Sequence, residues 1–227
     1  MKLDIFIEGE TIDLRIPTLE FAEKSDWYKW FNNPEITQYL EQGQFPNTYQ
    51  DQIFFFEGER KRRLILIATN KLNEIIGVTS ISKIDHAKKT GELGIVRSLK
   101  SKTPLETLEI VARITQHAFS KIGLKRIVAG HHISLISFSH RLSLLGYRLD
   151  GIGKKAFIKG DQIHDSLITA SHYDDYKRII KNRNGNLWDS KDLMLQRLQN
   201  LPQKTIHWKL QNFFKRHNEY YQKIFDL

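Results

Sequence analysis

The sequence predicts a single mixed α/β layer of the α+β type, with helices on both faces of the sheet. Three patterns carry that prediction. Short apolar runs such as IDLRI, LILIA and ELGIV follow one another in the first half, separated by polar turns, as antiparallel strands do. A long amphipathic stretch then stops at Gly123, and a second stops at Gly146, each glycine standing where a helix C-cap needs one. A strand separates the two helices and a hairpin pattern follows them, so the second half alternates strand and helix before closing on paired strands.

Taken in order, residues 12–16 alternate as a strand and residues 19–32 carry Phe21, Trp27, Trp30 and Phe31 on one helical side. Asn33-Pro34 breaks that helix, and residues 36–40 make one further turn. Residues 47–60 form another helix ending in the basic run Arg60 to Arg63. Two strands flank the polar turn at residues 70–74, and residues 92–96 make the next strand. The helix over residues 103–122, the strand over 125–130, the helix over 134–145 and a hairpin turning at Gly160-Asp161 complete the pattern. The polarity changes after Tyr176, which divides the chain into a domain over residues 1–180 and a helical C-terminal extension over 181–227. In the extension, Ile206, Leu210, Phe213, His217, Tyr220, Ile224 and Leu227 follow heptad spacing, the stripe of a helix that packs on its own domain or on a second copy of the chain.

Composition narrows the chemistry. The chain has no cysteine, which excludes disulfides, thiolate nucleophiles and metal–thiolate sites. The acidic start lacks the apolar core of a signal peptide, and no apolar run is long enough for a membrane span, so a cytoplasmic location is expected. A net charge of +9 admits anionic partners. The basic aromatic residues of the last helix, among them Trp208, Lys215 and Lys223, would suit a nucleic acid or lipid surface, but helix stripes of this kind more commonly pack. Histidines 131 and 132 lie together after a strand with no third ligand near them in sequence, so no metal site is expected.

Four separated segments resemble the Gcn5-related N-acetyltransferase (GNAT) superfamily, in the branch of ribosomal-protein and amino-sugar acetyltransferases. They are IDLRIPTLEFAEKSDWYKWFNNPEITQYL, GELGIV, AFSKIGLKRIVAG and RLSLLGY. The resemblance spans residues 12–176 and implies a twisted mixed sheet splayed between its fourth strand, ELGIV, and its fifth, KRIVAG. Acetyl-coenzyme A would lie in the splay, its pantetheine arm against backbone groups near Ile95 and Val96. A primary amine, from an amino sugar or a peptide N-terminus, would enter from the other side. The family's diphosphate loop, R/Q-x-x-G-x-G/A, falls on residues 102–107, which implies Lys102, Thr103 and Thr107 as donor contacts. Glu92 matches a glutamate that serves as base in some relatives, and His132, at the mouth of the splay, is the other candidate for proton transfer.

This chain departs from that pattern at the loop. Neither glycine is present, Pro104 removes a backbone donor, and Thr103-Pro104-Leu105-Glu106 reads as a capping box that would satisfy the helix start by itself. Leu135 and Leu142 stand where the family's pantetheine-binding Asn and proton-donating Tyr usually are. Two alternatives therefore accompany acyl transfer from acetyl-coenzyme A. One is a non-catalytic scaffold of the same fold, and the other is an acyltransferase whose donor is an acidic acyl carrier protein.

Overall fold

The computed structural model describes residues 3–101, 103–202 and 205–226. Its centre is an eight-stranded sheet in the order β1-β2-β3-β4-β5-β6-β8-β7. The strands are β1 (Ile5–Glu8), β2 (Ile12–Arg15), β3 (Leu64–Asn70), β4 (Ile75–Asp85), β5 (Thr90–Arg97), β6 (Arg126–His132), β7 (Tyr147–Lys159) and β8 (Gln162–His172). Every neighbouring pair is antiparallel except β5 and β6. Parallel strands need a crossover, and α5 (Pro104–His117) supplies it.

That parallel pair opens the sheet. β5 and β6 are in register only from Thr90↔Arg126 to Glu92↔Val128. Beyond this point β5 stays with β4 as far as Gly77↔Arg97, while β6 stays with β8 as far as His132↔Ser166. The two halves of the sheet diverge, as the resemblance implies. The strands on either side are the expected fourth and fifth, now numbered one higher because β1 precedes them. The sequence reading missed β1; only Ile5, Phe6 and Ile7 alternate weakly there, and two of these are exposed.

One core lies between the sheet and α5 with α6 (Ile136–Leu142), through Ile110, Ile114, Leu142 and the sheet residues Ile12, Leu14, Ile76 and Ile127. A second core lies on the opposite face, where α1 (Leu19–Lys24), α2 (Trp27–Trp30) and α4 (Tyr49–Glu59) place Phe21, Trp27 and Phe56 on Ile65, Ile67 and Val78. The expected helix over 19–32 is two helices, because Ser25 adopts an extended backbone and its hydroxyl accepts the Trp27 N–H at 3.3 Å, restarting the chain. Asn33 caps α3 (Pro34–Thr37), and Thr48 with Asp51 forms a reciprocal capping box on α4. α5 widens into a π-type turn over Ala118–Ile122 before Gly123 stops it at φ +81°, and Gly146 ends the α6 segment at φ +83°.

The extension begins as part of the first core. After α7 (Tyr173–Lys181), Leu187, Trp188 and Met194 are buried with the sheet residues. Trp188 donates to Glu10 at 2.8 Å, the Lys191 N–H donates to the same carboxylate at 2.7 Å, and Gln116 accepts the Leu187 N–H at 2.8 Å. These bonds fix α8 (Lys191–Gln199), capped by Ser190, across the start of α5. The final helix, α9 (Thr205–Phe225), buries Leu210 but leaves Phe213, Tyr220 and Ile224 of its heptad stripe exposed. No helix among the described residues is long and apolar enough to cross a membrane.

Candidate functional site

Two clefts lie along the splayed region. The first, of about 610 Å³, has the paired strands β4 and β5 as its floor. The register sets Ser80 opposite Gly94 and Ser82 opposite Glu92, so the Glu92 side chain shares this face with both serines. Trp27 and Phe55 form one wall, and residues 41–47 form the rim. Asn47 ties the rim down: its N–H reaches Asn32 Oδ1 at 2.7 Å, and its side-chain amide donates to the Tyr28 carbonyl and to Gln52 Oε1, each at 3.2 Å. Glu92 is partly exposed, and one of its oxygens accepts from Lys83 Nζ at 2.8 Å. Two groups on the wall lack partners among the described residues, the Trp27 indole N–H and the Gln52 amide nitrogen.

The second cleft, of about 760 Å³, opens at the start of α5. Here the capping box is formed in full. Thr103 Oγ1 accepts the Glu106 N–H at 3.3 Å, and the Glu106 carboxylate accepts the Thr103 N–H at 3.2 Å. Two backbone amides that an anion would use, those of Thr103 and Glu106, are thus engaged within the helix itself. Thr107 is buried and its hydroxyl has no partner among the described residues, and Lys102 lies outside them. The far wall is lined by His140 and Arg141 from α6 and Lys191 from α8, and neither Arg141 nor Lys191 has an ion-pair partner among the described residues. Arg97 lies in the same field. Burial lowers its guanidinium from the ordinary value, Glu106 opposes that shift and Arg141 adds to it.

The two histidines face different ways. His132 is buried, packs against Tyr39, Phe157 and His164 with ring centroids 4.7 to 5.0 Å apart, and accepts the Ser134 N–H at Nδ1. That bond puts the proton of the neutral ring on Nε2, so His132 presents a donor. Burial and then His164 hold its pKa below the ordinary range. His131 meets Phe138 of α6 edge to face at 5.7 Å, and burial pushes it down to about 4. Ile95 and Val96 lie on β5 past the end of its pairing with β6, and both border the first cleft. Leu142 is fully buried as part of the first core. Among the described residues no group of His, Asp or Glu could hold a metal ion.

Sequence reasoning named Glu92, both histidines and the capping box as candidates. It did not single out Gln52, Arg97, Arg141 or Lys191. Gln52 sits in a helix read only for its phenylalanines, and the basic residues are separated by up to 94 positions (97 to 191), so only the folded chain collects them.

The acetyltransferase (GNAT) domain family matches residues 13–134. No curated protein sequence matches the chain. Among solved structures, the microcin C7 self-immunity acetyltransferase MccE, in complex with acetyl-CoA and AMP, is 24% identical over 72% of this chain and 93% of its own, with a TM-score of 0.61. The spermidine N-acetyltransferase from Vibrio cholerae, in complex with CoA and spermine, is 13% identical over 74% of this chain and 98% of its own, at 0.67. The ribosomal L7/L12 α-N-protein acetyltransferase RimL, in complex with coenzyme A, is 16% identical over 76% of this chain and 99% of its own, at 0.65. At these identities the likeness establishes a shared fold.

Proposed function

The chain belongs to the acetyltransferase (GNAT) family, and from that premise we propose that it transfers an acetyl group from acetyl-coenzyme A to a primary amine, of a small molecule such as an amino sugar or of a peptide N-terminus. One observation carries the reading: the edge of β5 bared beyond Glu92 runs beside a cleft into which Glu92 projects. Strand edges offer alternating N–H and C=O groups, which suits the amides of a pantetheine arm near Ile95 and Val96. Bound there, the donor supplies a thioester whose C–S bond breaks as the C–N bond to the amine forms.

Glu92 takes the amine proton with the oxygen that Lys83 leaves free. His132, neutral with its proton on Nε2, can donate a hydrogen bond but supplies neither a free base nitrogen nor an acidic proton. The diphosphate fits poorly on the amides of residues 103–107, since the Thr103 N–H is engaged and the Glu106 carboxylate would repel it. The cations Arg141 and Lys191, without ion-pair partners among the described residues, fit it better as point charges. The same engaged helix start supports a second reading, in which an acyl carrier protein delivers the acyl group on an arm that has no adenosine diphosphate.

Thiol release from acetyl-coenzyme A in the presence of a panel of amines tests the first reading. Glu92→Gln lowers kcat by roughly 10²- to 10⁴-fold and removes the acidic limb of its pH profile. An unchanged profile would dismiss Glu92 as the base. A silent panel that becomes active with an acylated carrier protein would favour the second reading.

A further inference from the structure

The two histidines that end β6 leave opposite faces of the strand and reach different parts of the molecule. His131 meets Phe138 of α6 edge to face. His132 is 5% exposed and lies on the other face, where its ring stands 5.0 Å from that of Tyr39 with the planes 35° apart. Phe157 of β7 and His164 of β8 close around it, each with its ring centroid 4.7 Å away.

This one side chain meets an element of each cleft. Tyr39 lies between α3 and residue 41, where the rim of the first cleft begins. Asn47 fixes the far end of that rim. The near end is held by the Tyr39 ring on His132 and by Lys159 Nζ, which donates to the Thr37 carbonyl at 2.7 Å. His132 Nδ1, for its part, accepts the Ser134 N–H at 3.1 Å, which makes His132 the cap of the short turn over Ile133–Leu135. That turn runs directly into α6, whose Ser137 and Arg141 line the second cleft. A phenylalanine would serve the ring contact and an asparagine the cap; a neutral histidine with a bare Nδ1 serves both. Resting on the acyl-transfer reading above, we propose that His132 is a positioning residue, which holds the acceptor rim through Tyr39 and the donor-side helix α6 through Ser134. It touches neither reactant and sets the walls against which both are placed.

Two variants of the full chain divide the roles. His132→Phe keeps a ring on Tyr39 and loses the cap; it weakens coenzyme A binding in calorimetry roughly three- to tenfold and leaves KM for the amine within about twofold. His132→Asn keeps an acceptor for the Ser134 N–H and loses the ring; it raises KM for the amine roughly three- to tenfold, with kcat and coenzyme A affinity little changed. Tyr39→Leu reproduces the His132→Asn pattern, and combining the two adds less than about twofold, because the contact is already lost. Variants that weaken both quantities alike, or neither, overturn the proposal, and so does a Tyr39→Leu that weakens coenzyme A. The parent chain gives a readout independent of any substitution. With ¹⁵N-labelled histidine and neither donor nor amine present, the His132 ring shows a bare Nδ1 and a protonated Nε2 at neutral pH; a proton on Nδ1 overturns the cap. Coenzyme A affinity and the ring nitrogens are both read without an acceptor. Transfer that proceeds while the two His132 variants behave alike would sink the positioning role and leave acyl transfer standing. The expected ring spectrum and split in coenzyme A affinity, with no transfer to any amine, would do the reverse.

Discussion

Replacing Glu106 with Gln separates the two things that residue does at the start of α5. A glutamine oxygen can still accept the Thr103 N–H, now held at 3.2 Å, and the Thr103 hydroxyl still accepts the N–H of residue 106, so the cap survives. What disappears is a unit of negative charge on the wall of the second cleft. A phosphate oxygen seated about 7 Å from that carboxylate is repelled by roughly 1–2 kcal/mol at an effective dielectric constant of about 20–40. The cations Arg97 and Arg141 stay in place and act on the ligand unopposed. Coenzyme A should therefore bind about 5- to 30-fold more tightly to the variant at low salt, with the gain shrinking as salt screens it. Stability moves the other way. The carboxylate favours the helix dipole by about 0.3–1 kcal/mol, so Tm falls by about 1–4 °C for a chain of this size. Titration calorimetry in low and high salt, with a melting curve beside it, reads both effects. Affinity unchanged within experimental scatter, or weakened, would refute the reasoning, because it would mean that the Glu106 charge does not face the donor.

Three other outcomes follow from the packing and the buried charges. His131 titrates near 4 when folded and near 6.5 when unfolded, so between those values the unfolded chain holds a proton that the native chain lacks. Stability is therefore fully present above pH 6.5 and is lost as pH falls toward 4, by up to about 3 kcal/mol; urea melts of His131→Phe should have a flatter slope across that window, and a slope equal to the parent's would exclude His131 as the cause. Trp188→Ala should cost about 3–5 kcal/mol, since it empties a buried site and removes one of the hydrogen bonds to the Glu10 carboxylate. It should also weaken coenzyme A binding by loosening α8; normal affinity in a folded variant would detach α8 from the donor site. The exposed stripe of α9 predicts self-association, so the full chain should exceed monomer mass in light scattering and return to it when residues 203–227 are removed, whereas a full-length monomer would refute pairing through α9.

The strands and helix ends were legible because they rest on period-two runs and glycine stops, which are local, whereas the splay was expected from the family resemblance alone. The capping box was legible for the same reason: Thr103 and Glu106 are three residues apart, and the bonds between them depend on nothing distant. The break at Ser25 was not visible, because the apolar positions of residues 19–32 fit one helix and only the Ser25 hydroxyl on Trp27 N–H decides for two. The wall of the first cleft was half visible. Trp27 is conspicuous in sequence as an aromatic, but that its N–H and the Gln52 amide are left unpaired depends on Asn47 being clamped by Tyr28 and Asn32. Burial without a partner is a property of the whole fold, and composition carries no trace of it.

The place of α8 changes what the missing glycines mean. Taken alone, the start of α5 has exchanged a phosphate cradle for a helix that caps itself, which would argue for a fold that has given up its donor. In the folded chain that helix start is one wall of a cleft, and the opposite wall is built by a segment beyond the matched family domain. Lys191 stands there on a helix held by two bonds to Glu10, and Glu10 is in turn fixed at its own N–H by Glu109, a buried carboxylate of α5. The Lys191 main chain is thus tied, through the β1–β2 turn, to α5, which sets where its exposed side chain starts beside the cleft. Lys191→Ala should consequently weaken coenzyme A more than Lys181→Ala, a cation on α7 outside the cleft, at equal loss of net charge. Equal losses would reduce α8 to packing and return the burden of donor binding to the splay alone.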